Sequence, residues 1–137
     1  MTLLLLVLTA AVPSHGGDRL PPCPESPNCV NSLDSDPARR VPPLAFSGSA
    51  AQARGQLVGA IESLPRALLV ETRDDYVRAE FVSRLFRFVD DMEFLIDAGA
   101  GVIHLRSASR SGYYDFGVNR RRVERIREAF ERSDAPG

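Results

Sequence analysis

Apolar residues after residue 47 first recur at helical spacing. Ser49 followed by Gln52 matches a capping box, and Pro65 ends the run. The apolar residues that share one face between them are Ala50, Ala53, Leu57, Ile61 and Leu64. This pattern predicts an amphipathic helix that packs one face on a core.

Four segments then alternate between apolar and polar residues with the period of a β-strand. They cover residues 67–72, 76–83, 86–96 and 101–109. Asp74-Asp75 can form the first turn, and Gly99-Ala100 can form the last, with glycine first as a type II′ turn prefers. The expected antiparallel register pairs Phe94 with Leu105 and Glu93 with Arg106.

The alternation also assigns each strand residue to a face. On the face expected to be buried lie Leu68, Val70, Thr72, Val77, Ala79, Phe81, Phe86, Phe88, Met92, Phe94 and Ile96. Glu71 is expected opposite Arg78 on the other face. Asp90 falls on the apolar face, where a buried carboxylate needs a partner, a bulge or an exposed sheet end.

A second helix is predicted at the end of the chain. Asn119 is the expected N-cap, and Val123, Ile126 and Phe130 share one face. Because both helices and the sheet each have one apolar side, we expect both helices to cover the same sheet face. The predicted fold is α+β, a four-stranded antiparallel meander with two helices on one face in the order α-β-β-β-β-α, over residues 47–133.

Residues 17–46 are rich in Pro, Ser, Asn and Asp, which predicts an irregular, extended arm. Cys23 and Cys29, in the segment CPESPNC, are the only two cysteines. In an exported protein such a close pair is typical of a disulfide, and we expect it to pin the arm.

The first residues predict export. Leu3 to Val12 form an apolar run about half the ~20 residues that a membrane span requires, and small residues follow at Ser14 and Gly16. We therefore expect a signal peptide over residues 1–16 and a periplasmic or secreted protein. No Lys or Arg precedes the run, so an uncleaved membrane anchor is the alternative.

Charge and composition exclude several classes of function. The net charge of −1 argues against a general binder of nucleic acid or of acidic membranes, because both usually show a basic excess. We therefore expect membrane contact only through an uncleaved leader, if at all. The signs are divided along the chain, because residues 70–98 carry eight acids and four arginines whereas residues 104–132 carry four acids and eight arginines. His15 and His104 are the only imidazoles, so we expect neither a metal site nor a cofactor.

The most unusual segment is RSASRSGYYDFGVNRRRVE, residues 106–124, where arginines crowd a strand-to-helix junction. Arginines at a helix start oppose the helix dipole, so they need partners, either internal carboxylates or an external anion at the free amides. We predict an anion site at Arg106, Arg110, Arg120 and Asn119. The expected polar network beside it comprises Asp90, Asp91, Asp115 and Glu93, while Tyr113, Tyr114 and Phe116 wall a pocket or pack as a lid.

Local catalytic motifs are missing from the sequence. Ser107, Ser109 and Ser111 alternate onto the strand face opposite His104, so they cannot form a local dyad with it. Asp90 and Asp91 are expected on opposite faces of the sheet, so their carboxylates cannot share a proton. No phosphate-binding loop or dinucleotide fingerprint occurs.

Three segments in order, CPESPNCVNS, FRFVDDMEF and RSASRSGYYDFGVNRRRVERI, resemble the domain of unknown function 1499 family. The resemblance extends from Cys23 to about Phe130. Ser111 and Tyr114 depart from it, since the family more often has an aliphatic and a small polar residue there. It implies bacterial and plastid relatives, often exported or membrane-associated, with no established activity.

Three functions are compatible with these observations. The first is an exported accessory or binding domain whose arginines bind an anionic small molecule or an acidic protein partner. The second is a hydrolase-type enzyme that uses Asp90 or Asp91 with Arg106 as an electrostatic clamp. The third is a structural module of a cell-envelope assembly, with the arm and residues 113–116 as contact surfaces.

Overall fold

The computed structural model describes residues 19–134, which form two helices and one antiparallel sheet. The predicted leader, residues 1–16, lies outside the described residues. The strands are β1 (Cys29–Asn31), β2 (Leu44–Ala45), β3 (Ala67–Thr72), β4 (Tyr76–Val82), β5 (Val89–Asp97) and β6 (Val102–Ser109). The helices are α1 (Ala50–Glu62) and α2 (Val118–Asp134).

The sheet has six strands in the order β1-β6-β5-β4-β3, with β2 also paired to β6. The α+β class and the antiparallel meander are therefore confirmed, but the strand count of four is wrong. The arm supplies the two additional strands, which pair Cys29 with Ala108 and Leu44 with Ile103. Both cover the edge that β6 would otherwise expose. The irregular arm is thus partly sheet, and strands of three and two residues are too short to leave an alternating pattern.

One apolar core lies between the sheet and the two helices. The capping box at Ser49 is present, and its hydroxyl accepts the Gln52 amide hydrogen bond at 3.1 Å. Both helices cover one sheet face, as expected. Fully buried side chains from every layer are Leu44, Leu57, Ile61, Phe94, Ile103, Leu105 and Ile126. Burying a large apolar side chain stabilises the fold by about 1.5–3 kcal/mol. Through Leu44, the arm therefore stabilises the core as a buried side chain of a helix does.

A β-bulge in β3 alters its predicted faces. The register pairs Leu69 with Ala79 and then Glu71 with Arg78, so Val70 has no partner on β4. Beyond the bulge, Glu71 pairs with Arg78 and Thr72 with Val77 as predicted, but Thr72 is exposed and not buried. Before it, Leu69 rather than Leu68 packs against the core, and Leu68 and Val70 are exposed, which corrects the expectation for both.

The third predicted strand begins later than expected. β5 starts at Val89, and Phe86 and Phe88 are exposed by 75% and 57%, so their assignment to the buried face is wrong. Arg87 has a φ of 53°, a left-handed conformation that no strand can continue through. Ser83 closes this loop by donating its amide to the Phe88 carbonyl at 2.8 Å.

The β5–β6 turn keeps the predicted register but not the predicted geometry. Phe94 pairs with Leu105 and Glu93 with Arg106, as expected. Residues 98–101 form a four-residue connection in which Gly101, not Gly99, has the positive φ. Four residues therefore replace the expected two-residue type II′ turn.

The disulfide between Cys23 and Cys29 is present, as predicted. It closes the segment immediately before β1, so it holds the arm at the sheet edge. Between residues 19 and 134, neither helix has the length and apolar character needed to cross a bilayer.

Candidate functional site

A cavity of about 290 Å³ opens at the end of the sheet where β4 leads into β5 and β6 leads into α2. Two loops flank it, residues 83–88 and residues 111–117, and we call them the loop pair. The residues that line the cavity are Ser83, Phe88, Asp90, Ser109, Ser111, Gly112, Tyr114, Asp115, Phe116 and Val118. The cavity therefore has a polar floor supplied by the strands and an aromatic rim supplied by the loops.

Asp90 on β5 is the buried carboxylate of this floor, with only 5% of its surface exposed. Its Oδ2 accepts a hydrogen bond from Arg122 of α2, whose guanidinium also lies 5.1 Å from the centre of the Phe81 ring. Of the three alternatives that the sequence left for this carboxylate, the structure has the partner, which is Arg122. No hydrogen bond within residues 19–134 involves Oδ1 of Asp90, and Asp90 lines the cavity.

Ser109 stands opposite Asp90 on the neighbouring strand β6. Its hydroxyl accepts a hydrogen bond from Nδ2 of Asn119 at 2.9 Å. Because none of the hydrogen bonds in residues 19–134 uses this hydroxyl as a donor, its proton can be directed into the cavity. Asp90 and Ser109 together offer a ligand one acceptor and one donor.

Asn119 holds the floor together from the first turn of α2, where it is fully buried. Its Oδ1 accepts from Ser107 at 2.6 Å, and its Nδ2 also donates to the Asn28 carbonyl at 3.2 Å and to Asp115 at 2.9 Å. These contacts use both functional groups of the amide. Asn119 therefore positions the strand and the arm rather than capping the helix, which corrects the predicted N-cap.

Asp115 performs the capping role instead. Its carboxylate accepts the amides of Gly117 at 2.8 Å and Asn119 at 3.2 Å, next to the positive end of the α2 dipole. Partial burial by itself raises the pKa of Asp115, but the hydrogen bonds from Asn119 and Gly117 outweigh it and hold the pKa below its usual value. Asp115 is thus an ionised cap beside the cavity.

The rim of the cavity consists of exposed side chains that do not pack in the core. Phe88, Tyr114 and Phe116 are exposed by 57%, 70% and 88%. Phe116 has a φ of 54°, and Arg121 donates to its carbonyl at 2.8 Å. Of the two readings that the sequence left open for Tyr114 and Phe116, walls of a pocket describe their position, because both line the cavity.

Arg106 and Arg110 lie on the other face of the sheet, away from the cavity. Arg106 is 3.5 Å from Glu93, whose other oxygen accepts the Tyr76 hydroxyl at 2.7 Å. Burial of Tyr76, with this hydrogen bond to a carboxylate, raises the pKa of its phenol. The buried Nε of Arg106 has no hydrogen-bond partner within residues 19–134.

Arg110 forms the most extensive ion pairs of that face. It donates to both oxygens of Asp91, at 3.1 and 2.7 Å, and to Glu80 at 2.7 Å. These hydrogen bonds raise its pKa further above the ordinary arginine value. Asp91 therefore faces away from Asp90, as the alternation predicted, and its charge is balanced on the open face.

Arg120 lies apart from both the open face of the sheet and the floor of the cavity. It donates to the carbonyls of Ala38 at 2.8 Å and Arg40 at 3.3 Å, so it ties the arm to α2. It lines a second cavity of about 210 Å³ behind Tyr114 and Phe116. The residues predicted for one anion site are thus divided among the open face, the arm and the floor of the cavity.

Several residues of the site were not predicted from the sequence. The sequence pattern excludes a dyad of Ser109 with His104 and indicates no other role for Ser109, and it gives no signal for Asn28. Nδ2 of Asn28 donates to the Gly112 carbonyl at 2.5 Å across 84 residues, a contact that no local pattern reveals. A partial signal existed for Arg122, since a partner was one of the three alternatives expected for an acid on the apolar face.

Within residues 19–134, His, Cys, Asp and Glu side chains do not gather in the groups of three that a metal ion would need. No curated protein matches the chain. The model of the family described as "Protein of unknown function (DUF1499)" matches residues 19–130, which include every element up to the last turns of α2. The chain therefore belongs to the DUF1499 family, as its three segments predicted.

Proposed function

We propose that this domain binds a small molecule in the cavity between the loop pair. The observation that carries the proposal is the carboxylate of Asp90, a largely buried residue that lines the cavity and whose Oδ1 forms no hydrogen bond within residues 19–134. This oxygen is therefore available to accept a hydrogen bond from a ligand donor. An aromatic rim around a few convergent polar groups is the common composition of a ligand site.

The lining favours a neutral or cationic ligand. Asp90 and Asp115 both contribute carboxylates to it, whereas the described lining includes no arginine. An anion placed there would meet charges of its own sign. A polyol would donate to Asp90 and accept from the Ser109 hydroxyl, whereas a protonated amine would donate to Asp90. The apolar side of either ligand would lie against Phe88, Tyr114 and Phe116. A volume near 290 Å³ suits a molecule the size of one sugar ring or a small aromatic amine.

A titration panel of neutral sugars, primary amines, carboxylates and phosphates, followed by NMR or calorimetry, tests the proposal. We expect saturable binding by a sugar or an amine. Asp90→Asn should weaken it about tenfold or more, because a hydrogen bond to a charged group contributes about 1.5–3 kcal/mol. The matched control is Asp91→Asn, which alters the adjacent residue on the opposite face and should leave the affinity unchanged.

Asp90→Asn also weakens the ion pair with Arg122, so Ser109→Ala serves as a second variant. It removes the donor hydroxyl with little change in volume and should weaken the same ligand. Equal loss of affinity in Asp91→Asn, or a flat response to the whole sugar and amine panel, would overturn the proposal.

Binding of an anionic ligand at Arg106, Arg110 and Arg120 stays a prediction. The carboxylates and phosphates of the titration panel test it. The guanidiniums of Arg110 and Arg120 already have protein partners, so they are less available to bind an anion than free arginines. Among the three arginines, Arg106 gives most support to an anion site, because its Nε has no hydrogen-bond partner within residues 19–134. Phosphate or carboxylate binding that is lost in Arg106→Gln and kept in Asp90→Asn would identify this site instead of the cavity.

An enzyme of the hydrolase type is the second candidate function. The same oxygen of Asp90 favours it, since a carboxylate with an open lone pair in a cavity can act as a general base. Arg106 lies across the sheet from Asp90 and could not clamp a substrate bound there. Turnover of an ester or glycoside that is abolished in Asp90→Asn and retained in Asp91→Asn would establish this function.

We place the activity outside the cytoplasm. The disulfide between Cys23 and Cys29 supports this location, because disulfides persist mainly in oxidising compartments. Fractionation of the source cells with an epitope at the carboxyl end would test it. Recovery of the protein in the cytoplasm with reduced cysteines would contradict it.

A further inference from the structure

The loop pair exposes an unusual set of large apolar side chains at one end of the molecule. Between 57% and 88% of each is exposed, and they are Leu85, Phe86, Phe88, Tyr113, Tyr114 and Phe116. The two loops are neighbours, because both line the cavity and the Arg110 amide donates to the Val89 carbonyl at 2.9 Å between their bases. Apolar groups concentrated in this way on a surface mark an interaction site.

The charges of the loop pair are predominantly positive. Arg84 and Arg87 alternate with the apolar residues in the sequence RLFRF, and neither forms an ion pair with any other residue between 19 and 134. Arg121 adds a third guanidinium, whose only hydrogen bond within residues 19–134 goes to the Phe116 carbonyl. Asp115 is the one acid of the two loops, and its carboxylate is occupied by the α2 amides. The surface is therefore apolar at the tips and cationic around them.

We propose that the loop pair docks the domain on an anionic lipid surface, with its aromatic and leucine side chains in the interfacial layer and Arg84 and Arg87 on the headgroups. Exposed Phe, Leu and Tyr beside Arg is the combination that peripheral membrane segments use. Long arginine side chains reach charged headgroups while their neighbours enter the apolar layer. This inference does not rest on the proposed ligand, although Phe88, Tyr114 and Phe116 belong to both sites. It departs from the expectation that only the leader contacts a membrane, because the arginines of the loop pair form a local positive patch in a chain whose net charge is −1.

The shape of the patch favours a bilayer over a protein partner. The apolar side chains project from two separate loops on either side of a cavity, whereas a stable protein interface needs about 800 Å² of closely fitting surface on each partner. A fluid interface accommodates projecting side chains without such a fit. Two arginines that lack carboxylate partners match a surface of fixed negative charge.

The chain contains no tryptophan, so a single introduced tryptophan reports on one site. Phe86→Trp and Phe116→Trp in the full chain should each shift their emission to shorter wavelength on vesicles of phosphatidylcholine with 30% phosphatidylglycerol, and brominated lipids should quench them. Leu33→Trp is the matched control, because Leu33 is 53% exposed but follows Ser32, which contacts His104 in the middle of β6. Its emission should not change.

Arginine variants test the electrostatic part. The double variant Arg84→Gln, Arg87→Gln should lower the partition coefficient about 30-fold at low salt, since each arginine near an anionic surface contributes about 1 kcal/mol. Vesicles of phosphatidylcholine alone should bind much less protein. Because each comparison keeps the whole chain, residues 1–18 contribute equally to both members of a pair.

Three results would overturn the proposal. One is unchanged emission of Phe86→Trp and Phe116→Trp on vesicles that capture the protein. Another is a partition coefficient that does not respond to loss of both arginines. The third is a stable oligomer, measured by light scattering, that the double variant Phe86→Ser, Phe116→Ser dissociates, because that would assign the loop pair to a protein contact.

Discussion

Asp90 and Arg122 form an ion pair that joins the start of strand β5 to the last helix. Their side chains are only 8% and 13% exposed, in contrast to Arg110, which is 49% exposed. Charged pairs with so little solvent contact are sensitive to the loss of either member, because the remaining charge is buried alone.

We expect Arg122→Met to lower the free energy of unfolding by about 3 kcal/mol. The exposed pairs of Arg110 should matter much less, so Arg110→Met is the matched control. Urea denaturation measures both. The double variant Asp90→Leu, Arg122→Met should recover part of the loss, and a double variant less stable than Arg122→Met alone would contradict this account of the pair.

Replacement of Asn119 should destabilise the domain more than replacement of an ordinary residue in the first turn of a helix. Asn119→Leu leaves the Ser107 hydroxyl without its acceptor, at a cost of about 1–3 kcal/mol for a buried group, and it removes one of the two donors to the Asn28 carbonyl. We expect the melting temperature to fall by roughly 10 °C. Ser133→Ala, which removes an exposed hydroxyl that contacts the Ala129 carbonyl, should change it by no more than about 2 °C. Similar melting temperatures for the two variants would contradict the network.

Asp115 should make stability depend on pH in the acid range. Its pKa is lowered in the folded state, so its contribution is present above the unfolded value near ~3.9 and is lost as the pH falls through the folded value. Asp115→Asn should therefore flatten the loss of stability below about pH 4, measured by urea denaturation at stepped pH. Asp36→Asn, in the arm, is the control. Equal slopes for wild type and Asp115→Asn would exclude the cap as the cause.

Reduction of the disulfide should loosen one edge of the sheet rather than the whole domain. A crosslink that closes so short a loop stabilises by about 2 kcal/mol. Asn28 is adjacent to Cys29, and its carbonyl accepts the Ser109 amide at 3.0 Å. In the double variant Cys23→Ser, Cys29→Ser, hydrogen exchange at Ser109 should accelerate more than exchange in the middle of β4. Uniform acceleration across the sheet would show that the bridge has no local role.

The periodic parts of the sequence predicted the fold well. α1 and its capping box, the order of β3 to β6 and the pairing of Glu93 with Arg106 all follow from local alternation and spacing. Errors arose where one residue changes the pattern. The bulge at Val70 exchanged the two faces of β3, and the left-handed Arg87 removed Phe86 and Phe88 from β5.

The candidate site was less predictable because it depends on which side of the sheet each charge takes. Asp90 and Asp91 are adjacent in sequence, yet the pleat sends one to the cavity and the other to Arg110. The arginines of residues 106–122 looked like one cluster in the sequence. In the fold, Arg106 lies across the sheet from Arg122, and Arg120 contacts the arm.

The sequence by itself determined the two helices, the antiparallel meander and the disulfide, and it marked Asp90 as a carboxylate that needs a partner, a bulge or an exposed sheet end. These follow from periodicity, spacing and the cost of burying a charge. Only the tertiary structure decided that Asp90 has a partner and that this partner is Arg122, that Asn28 and Asn119 meet beside Ser109, and that the loop pair encloses a cavity. These contacts join residues up to 91 positions apart, and such distant pairs leave no trace in a local pattern.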